Sequence, residues 1–535
     1  MKTKMKKNIV NFIILSLLIL SNTYLLNAQE MAVNAIDYQK NEALSKKAKY
    51  WIMFKDKGWV DPTKQYVSKH TITNRKLLGL PLFQMSDVPV NALYIKKLQE
   101  KNIALKHQSR WLNAVAAYIS DKQHQWLLTQ PFVKEITPIN TQLLPASKGV
   151  LPTQKQFANA LQQMNARSLL KDGLTAKGIK IGIVDVGFDG ADELGALKHV
   201  FKNKQFKGGR DFVKPKSKRI FKRHTGDDYH GTQVWKAVAG KVGQKRFGMA
   251  TEAEFYLART DHGVKEARTE EDNWIAAVEW MDSLGVRIVN TSLGYSTGFT
   301  DSREDYKPEE MDGKTSKISR AVDIAVQQKG LVIIVAAGNE GDIRSWRVVS
   351  TPGDAKEAIS VGATNLKMRT KASYSSIGPD FLPYLKPNVS CFSSNGTSFS
   401  APIISGLAAC LLQKKPSLKN TELRDVIERS AHLYPFGNNF VGYGIPQADV
   451  ALKMIDDRNW QPKNTITYRP KSNTWVLRGL KVKKVVAFHK RGKYWVYKQA
   501  RLKVRNGDLV LKRPKKAVTH TTLDVGDKVI EVHWK

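Results

Sequence analysis

Hydrophobic and polar positions change their period along this chain, and the changes divide it into stretches of different character. In the middle, residues 178–187 and 331–341 are runs of β-branched and small apolar residues that end near a polar residue and a glycine. Such runs are typical of parallel strands buried on both faces. Apolar residues then recur at helical spacing, for example at Val234, Ala237 and Val238. Strands alternating with helices predict an α/β domain with a mostly parallel sheet.

The flanking stretches have other rhythms. Before residue 140 the pattern predicts strands at 50–54, twice within 104–119 and at 132–137, with helices at 90–101 and 121–130. That alternation suits a small α+β fold. After about residue 456, short strands at 475–477, 485–488, 494–497 and 529–534 predict a small all-β domain. An Asn506-Gly507 turn between residues 502–504 and 509–511 predicts one of its hairpins.

Four polar residues stand where these elements end or begin. Ser398 lies in a small-residue turn before the apolar helix of residues 403–409, where backbone N–H groups favour a developing oxyanion. Asp185 ends a predicted strand, and His230 lies at a loop-to-helix junction, so they are a candidate carboxylate and base. Asn339 follows another strand and is a candidate oxyanion donor. Ordinary roles remain open for single residues: an N-cap for Ser398, a structural histidine, and a turn for Asn339.

Together these stretches resemble the subtilisin-like serine peptidases, the subtilases. The order Asp185, His230, Asn339, Ser398 matches that family's order, and Gly-Thr-Ser-Phe-Ser-Ala-Pro, His-Gly-Thr and Ala-Ala-Gly-Asn resemble its signatures. A further stretch at residues 288–294 resembles the family's substrate-pairing strand. The resemblance implies a doubly wound, subtilisin-like sheet and an enzyme that hydrolyses peptide bonds.

What the resemblance implies about individual residues follows role by role. Ser398 would be the nucleophile, His230 the base, and Asp185 the group that orients it, with Asn339 as oxyanion donor. Substrate binding would fall to the residues that follow two of the strands, namely Ser292, Leu293, Gly294, Ala337 and Gly338. No cofactor is implied.

Departures from the family pattern matter as much as the matches. Val186 stands where the family usually has a hydroxyl residue, so a hydroxyl near Asp185 is missing. Gln233 replaces a second, non-catalytic histidine, and the loop before Asn395 is shorter than usual, which puts leaving-group specificity in doubt. Residues 240–250 contain no carboxylate, so we expect no calcium loop there and no metal site.

The first residues indicate where such an enzyme would work. Lys2, Lys4, Lys6 and Lys7 precede an apolar run at 9–26, and Asn27-Ala28-Gln29 offers a cleavage point, which is a signal-peptide pattern. An uncleaved membrane anchor is the alternative. We therefore expect a secreted or envelope protein. Its two cysteines, Cys391 and Cys410, are too few for a disulfide scaffold.

The domain organisation that follows is a signal peptide at 1–28, an inhibitor-like, ferredoxin-like prodomain at 30–140, a peptidase domain at 150–456 and a basic all-β domain at 460–535. The resemblance makes the prodomain an intramolecular inhibitor and places maturation cleavage in the linker from Asn140 to Gln156. A permanent accessory domain is the other interpretation.

Charge is the remaining signal, because 86 Lys+Arg against 48 Asp+Glu give a net charge of +38 and a pI near 9.9. Basic residues crowd the C-terminal segment beside aromatic ones. The segment is either a solvated basic face or a binding surface for an anionic surface polymer. We expect protein or peptide substrates, no specific nucleic acid and a monomer. Two functions stay open: an active secreted endopeptidase, and a weakly active or inactive relative that binds envelope surfaces through this domain.

Overall fold

The structure is a computed structural model and describes residues 47–139, 152–217, 219–224, 226–262, 270–296, 306–457, 459–460, 465–526 and 528–535. The predicted signal peptide lies outside the described residues, as does most of the predicted maturation linker. The chain divides into two compact units, one of residues 1–56, 91–106 and 115–138, and one of all the others.

The N-terminal region, residues 47–139, is built around the antiparallel pairing of its first and last strands. The elements of the N-terminal region are β1 (Ala48–Phe54), α1 (Lys69–Leu78), α2 (Ala92–Glu100), β2 (Ala104–Ser109), β3 (Ala114–Ile119), α3 (Asp121–Leu128) and β4 (Val133–Pro138). Their sheet has the order β2-β3-β1-β4, and β1 pairs antiparallel with β4. The predicted α+β fold is therefore confirmed, while α1 was missed. Its caps were in the sequence: the Ser68 side chain accepts from the Thr71 N–H, and Gly79 ends the helix with φ 65°.

The second unit contains a seven-stranded parallel sheet. Its elements are α4 (Gln154–Gln163), α5 (Arg167–Lys171), β5 (Lys180–Asp185), α6 (Lys198–Lys202), β6 (Phe206–Asp211), α7 (Tyr229–Ala239), β7 (Lys241–Val242), β8 (Lys245–Arg246), β9 (Glu254–Arg259), α8 (Glu271–Ser283), β10 (Ile288–Thr291), α9 (Lys317–Gln327), β11 (Val332–Ala336), β12 (Ile359–Thr364), β13 (Val389–Phe392), α10 (Ala401–Lys414), α11 (Asn420–Arg429) and α12 (Ala448–Asp456). The sheet order is β13-β12-β11-β10-β5-β9-β6, with every pairing parallel. The doubly wound α/β fold is confirmed.

The order of the strands marks one place in this sheet. From β5 the chain builds β6 and β9 on one side, then crosses back and builds β10 to β13 on the other. The topological switch point therefore lies between β5 and β10, and open α/β sheets bind ligands outside the carboxyl ends of the strands at such a point. Helix α10 packs against β10, β11 and α7, and its residues 401–412 are all buried.

The C-terminal elements form two small sheets. They are β14 (Thr465–Tyr468), β15 (Thr474–Leu477), β16 (Lys484–Arg491), β17 (Trp495–Lys503), β18 (Leu509–Lys512), β19 (His520–Asp524) and β20 (Val529–His533). One sheet has the order β14-β20-β19-β16-β17, and β15 pairs with β18 in the other. The all-β prediction is confirmed, but the hairpin across Asn506-Gly507 is wrong. The turn itself is present, with φ 51° and 80°, yet β17 pairs with β16 and β18 pairs with β15.

Strand β16 explains how this region joins the rest of the second unit. Val485 and Ala487 lie in the core of the β domain, whereas Val486 and Phe488 pack with Leu433, Val441 and neighbouring residues. Because successive strand residues point to opposite faces, both faces of β16 are covered. The ion pair between Arg369 and Asp524, at 2.8 Å, adds a polar contact beside this apolar one.

Residues 57–90 and 107–114 belong to the same compact unit as the parallel sheet. A buried charge network holds them there: the Arg75 guanidinium donates to both Asp87 oxygens at 2.7 Å, and Lys329 Nζ donates to Asp87 at 2.7 Å. Although burial raises it, the hydrogen bonds from the two cations hold the pKa of Asp87 below its ordinary value. Glu279 adds a second anchor by accepting from the Ser109 hydroxyl at 2.5 Å.

Glu271, in the first turn of α8, should make stability depend on pH. Burial raises the pKa of its carboxyl from 4.5 to about 8. Since the folded protein keeps this proton between those values and the unfolded chain loses it, stability should fall as pH rises through that window, by at most about 1.4 kcal/mol per pH unit. We expect Glu271→Gln to flatten this fall in urea unfolding between pH 5.0 and 8.5. The exposed Glu193→Gln is the control, and equal slopes in the wild type and Glu271→Gln would contradict the assignment.

Candidate active site

Asp185 and His230 meet at the switch point. Asp185 is the last residue of β5, and His230 lies in the first turn of α7. His230 Nδ1 donates to Asp185 Oδ1 at 2.7 Å, and both side chains are buried. Their approach depends on Gly231, where a Cβ atom would lie 2.2 Å from the Gly187 carbonyl oxygen and 2.9 Å from Asp185 Cβ. Only glycine at 231 lets the helix come this close to the strand.

The second oxygen of Asp185 shows the consequence of Val186. Oδ1 accepts from the Val186 backbone N–H at 2.9 Å as well as from the histidine, while the buried Oδ2 has no hydrogen-bond partner among the described residues. A hydroxyl at position 186, as the family usually has, would be a ready donor in this neighbourhood. Leaving a buried acceptor without a partner costs about 1–3 kcal/mol.

Val186→Thr should therefore give Asp185 Oδ2 a hydrogen-bond donor. We expect a gain of about 1 kcal/mol in the free energy of unfolding, because a buried charged acceptor acquires a donor. Catalytic efficiency should rise only a few-fold, since Oδ1 already orients the histidine. Val186→Ala changes the side-chain volume without adding a hydroxyl and separates the two effects. A Thr variant less stable than the wild type would show that the added hydroxyl is buried without a partner.

Ser398 is delivered by a turn that requires glycine. Gly396 has φ 138°, which side chains rarely adopt, and the next three residues, Thr397 to Phe399, form one turn of 3-10 helix before α10. Ser398 Oγ donates to the Ser292 carbonyl at 3.1 Å, and Ser292 Oγ donates back to the Ser398 carbonyl at 2.9 Å. His230 Nε2 is buried without a partner among the described residues. The imidazole lies 5.5 Å from the Phe399 ring, centroid to centroid, so it is beside this turn.

The Asn339 amide has one end fixed and one end free. Its Oδ1 accepts from the Thr397 N–H at 2.9 Å and from the Thr397 hydroxyl at 3.2 Å. Nδ2 is buried and has no partner among the described residues. An amide held by its oxygen presents two unused donors, which is what an oxyanion needs.

The predicted substrate-binding residues line the neighbouring strand ends. Ser292, Leu293 and Gly294 follow β10, and Ala337 and Gly338 follow β11. A Cβ atom on Gly294 would lie 3.0 Å from Ser350 Cβ, and the Gly338 N–H donates to Thr397 Oγ1 at 3.1 Å. All five residues are buried, so the structure brings them together with the four polar side chains at one sheet edge.

Sequence reasoning missed the residues that hold this edge together. Thr397 was part of a recognised motif, but its hydrogen bonds to Asn339 and Gly338 follow only from the fold. A chain of side-chain bonds runs from Ser405 Oγ to Asn290 Oδ1 at 2.9 Å and from Asn290 Nδ2 to Ser292 Oγ at 3.0 Å. It ties α10 to β10. No spacing in the sequence signals this long-range pairing.

Neither cysteine chemistry nor a metal group belongs to the described part of this site. Burial raises the pKa of both Cys391 and Cys410 to about 12, so their thiols are protonated and unreactive. Among the described residues, His520, Glu531 and His533 approach one another within 4.8 Å in the β domain. The Glu531 carboxylate there is already paired with Lys490 Nζ at 2.8 Å.

A parallel sheet that carries an Asp-His pair and a serine at its switch point defines a class, the serine hydrolases of α/β fold. The chain belongs to the subtilase family: the sequence profile described as "Subtilase family" matches residues 176–444. A second profile, "Peptidase S8 propeptide domain, Bacteroidota", matches residues 49–165. The protein is a serine endopeptidase and carries a propeptide.

Individual relatives agree with this assignment. Subtilisin NAT of Bacillus subtilis subsp. natto is 27% identical over 370 residues, covering 66% of this chain and 85% of that protein. Subtilisin of Bacillus pumilus is 28% identical over 306 residues, covering 55% and 98%.

Solved structures show the same fold. Fervidolysin from Fervidobacterium pennivorans, a keratinolytic enzyme, superposes with a TM-score of 0.51 at 17% identity, covering 89% of this chain and 70% of that one. The epidermin leader peptide processing serine protease of Staphylococcus aureus gives a TM-score of 0.52 at 16% identity, covering 78% and 99%.

The helices among the described residues include none with the length and apolar character that a membrane span requires.

Proposed function

We propose that this protein is an exported serine endopeptidase whose triad is Asp185, His230 and Ser398. Ser398 attacks the peptide carbonyl, and His230 takes the serine proton and gives it to the leaving amine. Asp185 holds the imidazole with its proton on Nδ1 and stabilises the imidazolium. Water then releases the acyl group by the same route. The observation that carries the proposal is the buried 2.7 Å hydrogen bond between His230 and Asp185 beside the turn of Ser398.

Asn339 stabilises the oxyanion in this proposal. The free Nδ2 donors meet the oxygen as it becomes negative, and the backbone N–H of Ser398 is the second donor. Extended substrate pairs with the strand ends at Ser292 to Gly294 through main-chain hydrogen bonds. The propeptide inhibits the enzyme until the chain is cleaved in the segment before α4.

Asn339→Ala should lower kcat by about 100- to 1,000-fold with little change in KM, because the donor acts only on the transition state. Steady-state hydrolysis of a chromogenic peptide measures this. Thr397→Val, which removes one of the two bonds to Asn339 Oδ1, should cause a smaller loss of kcat. An Asn339 variant that changes KM alone would place the amide in substrate binding.

Labelling with a fluorophosphonate probe tests the proposed function. We expect mass spectrometry to find the adduct on Ser398. It should also show autoproteolytic cleavage between residues 140 and 153, before α4 begins. The predicted linker reached Gln156, but α4 starts at Gln154 and is capped by Thr153, so its last residues are helical. Wild-type protein that is never labelled, even after removal of the propeptide, would refute the proposal.

A second function is favoured by the charge of the C-terminal β domain: contact with acidic polymers of a cell surface. In an active enzyme this domain would hold the peptidase near its substrates. If labelling fails, the same domain would make the chain a surface-binding relative without useful activity.

A further inference from the structure

The C-terminal β domain is more basic than the rest of the chain. Residues 465–535 contain nineteen lysines and arginines against four acidic residues, a net charge of +15 out of +38. Such a field attracts polyanions over distances comparable to the Debye length. The net charge alone does not distinguish a generally basic surface from a specific anion-binding site. The positions of the basic side chains distinguish the two.

Five of these cations surround one cavity. It has a volume of about 390 Å³ and is lined by Pro470, Lys471, Ser472, Asn473, Arg513, Lys515, Lys516 and Lys535. The size lies in the range of about 300–1,000 Å³ that is usual for small-ligand sites. No acidic and no aromatic residue is among the lining residues.

Arg513 builds the wall of this cavity. Its guanidinium donates to the backbone carbonyls of Lys516 at 2.5 Å and Val518 at 2.8 Å, to a terminal carboxylate oxygen of Lys535 at 2.6 Å, and to Asn473 Oδ1 at 3.3 Å. The side chain thereby joins three separate segments. The terminal carboxylate of Lys535 is paired with Arg513, so the four lysines supply the net positive charge of the cavity. The lysines are held around it by the backbone that it organises.

The cavity holds no acidic side chain within the part of the chain that the structure describes. None of its four lysines forms an ion pair with such a side chain there. Lys515 Nζ lies 5.5 Å from the centre of the Tyr497 ring, which gives it an apolar and not an anionic neighbour. Bringing these lysines together costs electrostatic free energy, which an anionic ligand would recover.

The aromatic rings near the cavity favour a polyanion that does not bind by base stacking. Nucleic acid in single strands binds by stacking its bases on aromatic faces. Tyr497 is covered by Lys515 and by Arg491 at 5.2 Å, and Trp475 packs against Tyr468 at 4.5 Å between ring centroids. No aromatic residue is among those that line the cavity. The lining therefore favours charge-assisted hydrogen bonding to acidic groups over base stacking.

We propose that this cavity binds the acidic groups of a polysaccharide that bears uronate or sulfate, with Lys471, Lys515, Lys516 and Lys535 as ligands around Arg513. The proposal rests on the surface role proposed above for this domain and not on the hydrolytic chemistry. Arg513 sets the shape of the site, and the lysines supply the charge-assisted contacts. Binding should weaken steeply with ionic strength.

Binding of polygalacturonate and of dextran sulfate to the full-length protein tests this, with neutral dextran as the reference polymer. We expect Lys515→Gln/Lys516→Gln to weaken binding of both anions at least 10-fold at 0.15 M salt. Lys481→Gln/Lys483→Gln removes the same charge from exposed lysines that do not line the cavity and should change affinity less than 3-fold. Peptide hydrolysis measured on the same samples should be unchanged in both double variants.

Other outcomes would overturn the proposal. Equal losses in the two double variants would mean that net charge and not the cavity binds the polymer. A single-stranded oligothymidine that binds more tightly than both polysaccharides would make the ligand a nucleic acid. Absence of polysaccharide binding at 0.15 M salt would refute the proposed binding site. In each case, retained peptide hydrolysis would leave the proposed peptidase function standing.

Discussion

Ser398→Ala is expected to lower kcat/KM on the order of 10⁶-fold, the general size for loss of a triad nucleophile in this class of enzyme. Once its propeptide has been removed, the variant should bind peptide normally, because it lacks only the attacking oxygen. It should also accumulate as the uncleaved precursor. Burst and steady-state kinetics with an activated ester, together with mass spectrometry of the purified chain, measure both effects.

Ser394→Ala is the matched control, since Ser394 lies in the same loop but is exposed and bonds only to Asn395. Its activity should equal that of the wild type. A Ser398→Ala protein that still matures and hydrolyses peptide at one hundredth of the wild-type rate would assign the nucleophile elsewhere.

Asp185→Asn is the second large effect, and we expect kcat to fall about 10⁴-fold near neutral pH. An amide in place of the carboxylate can donate to the imidazole, which favours the tautomer whose Nε2 is protonated and cannot act as base. It also removes the charge that stabilises the imidazolium. The pH profile of kcat/KM on the purified variant is the measurement that checks this.

The exposed Asp192→Asn serves as its control and should leave the profile unchanged. The effect of Asp185→Asn should also be much larger than that of Val186→Thr, because Oδ1 makes the bond to His230, whereas Oδ2 has no partner among the described residues. A loss below 10-fold would mean that the histidine is oriented by something other than Asp185.

Much of this site was predictable from the sequence, for a physical reason. In parallel sheets the carboxyl ends of adjacent strands share one edge, so Asp185, Ser292 and Asn339 had to converge once the strands were recognised. Ser398 was recognisable because its turn needs Gly396 and small neighbours. The family signature then supplied the roles.

The remainder depended on tertiary pairing, which local patterns do not encode. The Asn506-Gly507 turn was visible, but the partners of β17 and β18 were decided by burial of β16 on both faces. Helix α1 was missed because its apolar pattern is weak, although its caps are regular. The orientation of the Asn339 amide needed Thr397 to lie beside it, 58 residues away in sequence.

The buried network of Arg75, Asp87 and Lys329 should delay the activation of the enzyme after cleavage. Cutting the linker removes a covalent connection but leaves the buried Asp87 paired with Arg75 and Lys329. Moving Lys329 away while Asp87 stays buried would leave an uncompensated charge, at a cost of about 3–5 kcal/mol. The segment that carries Arg75 and Asp87 must therefore leave as a whole or stay. Cleavage and the appearance of activity are two events, so a preparation that is fully cut should show a lag before it hydrolyses peptide.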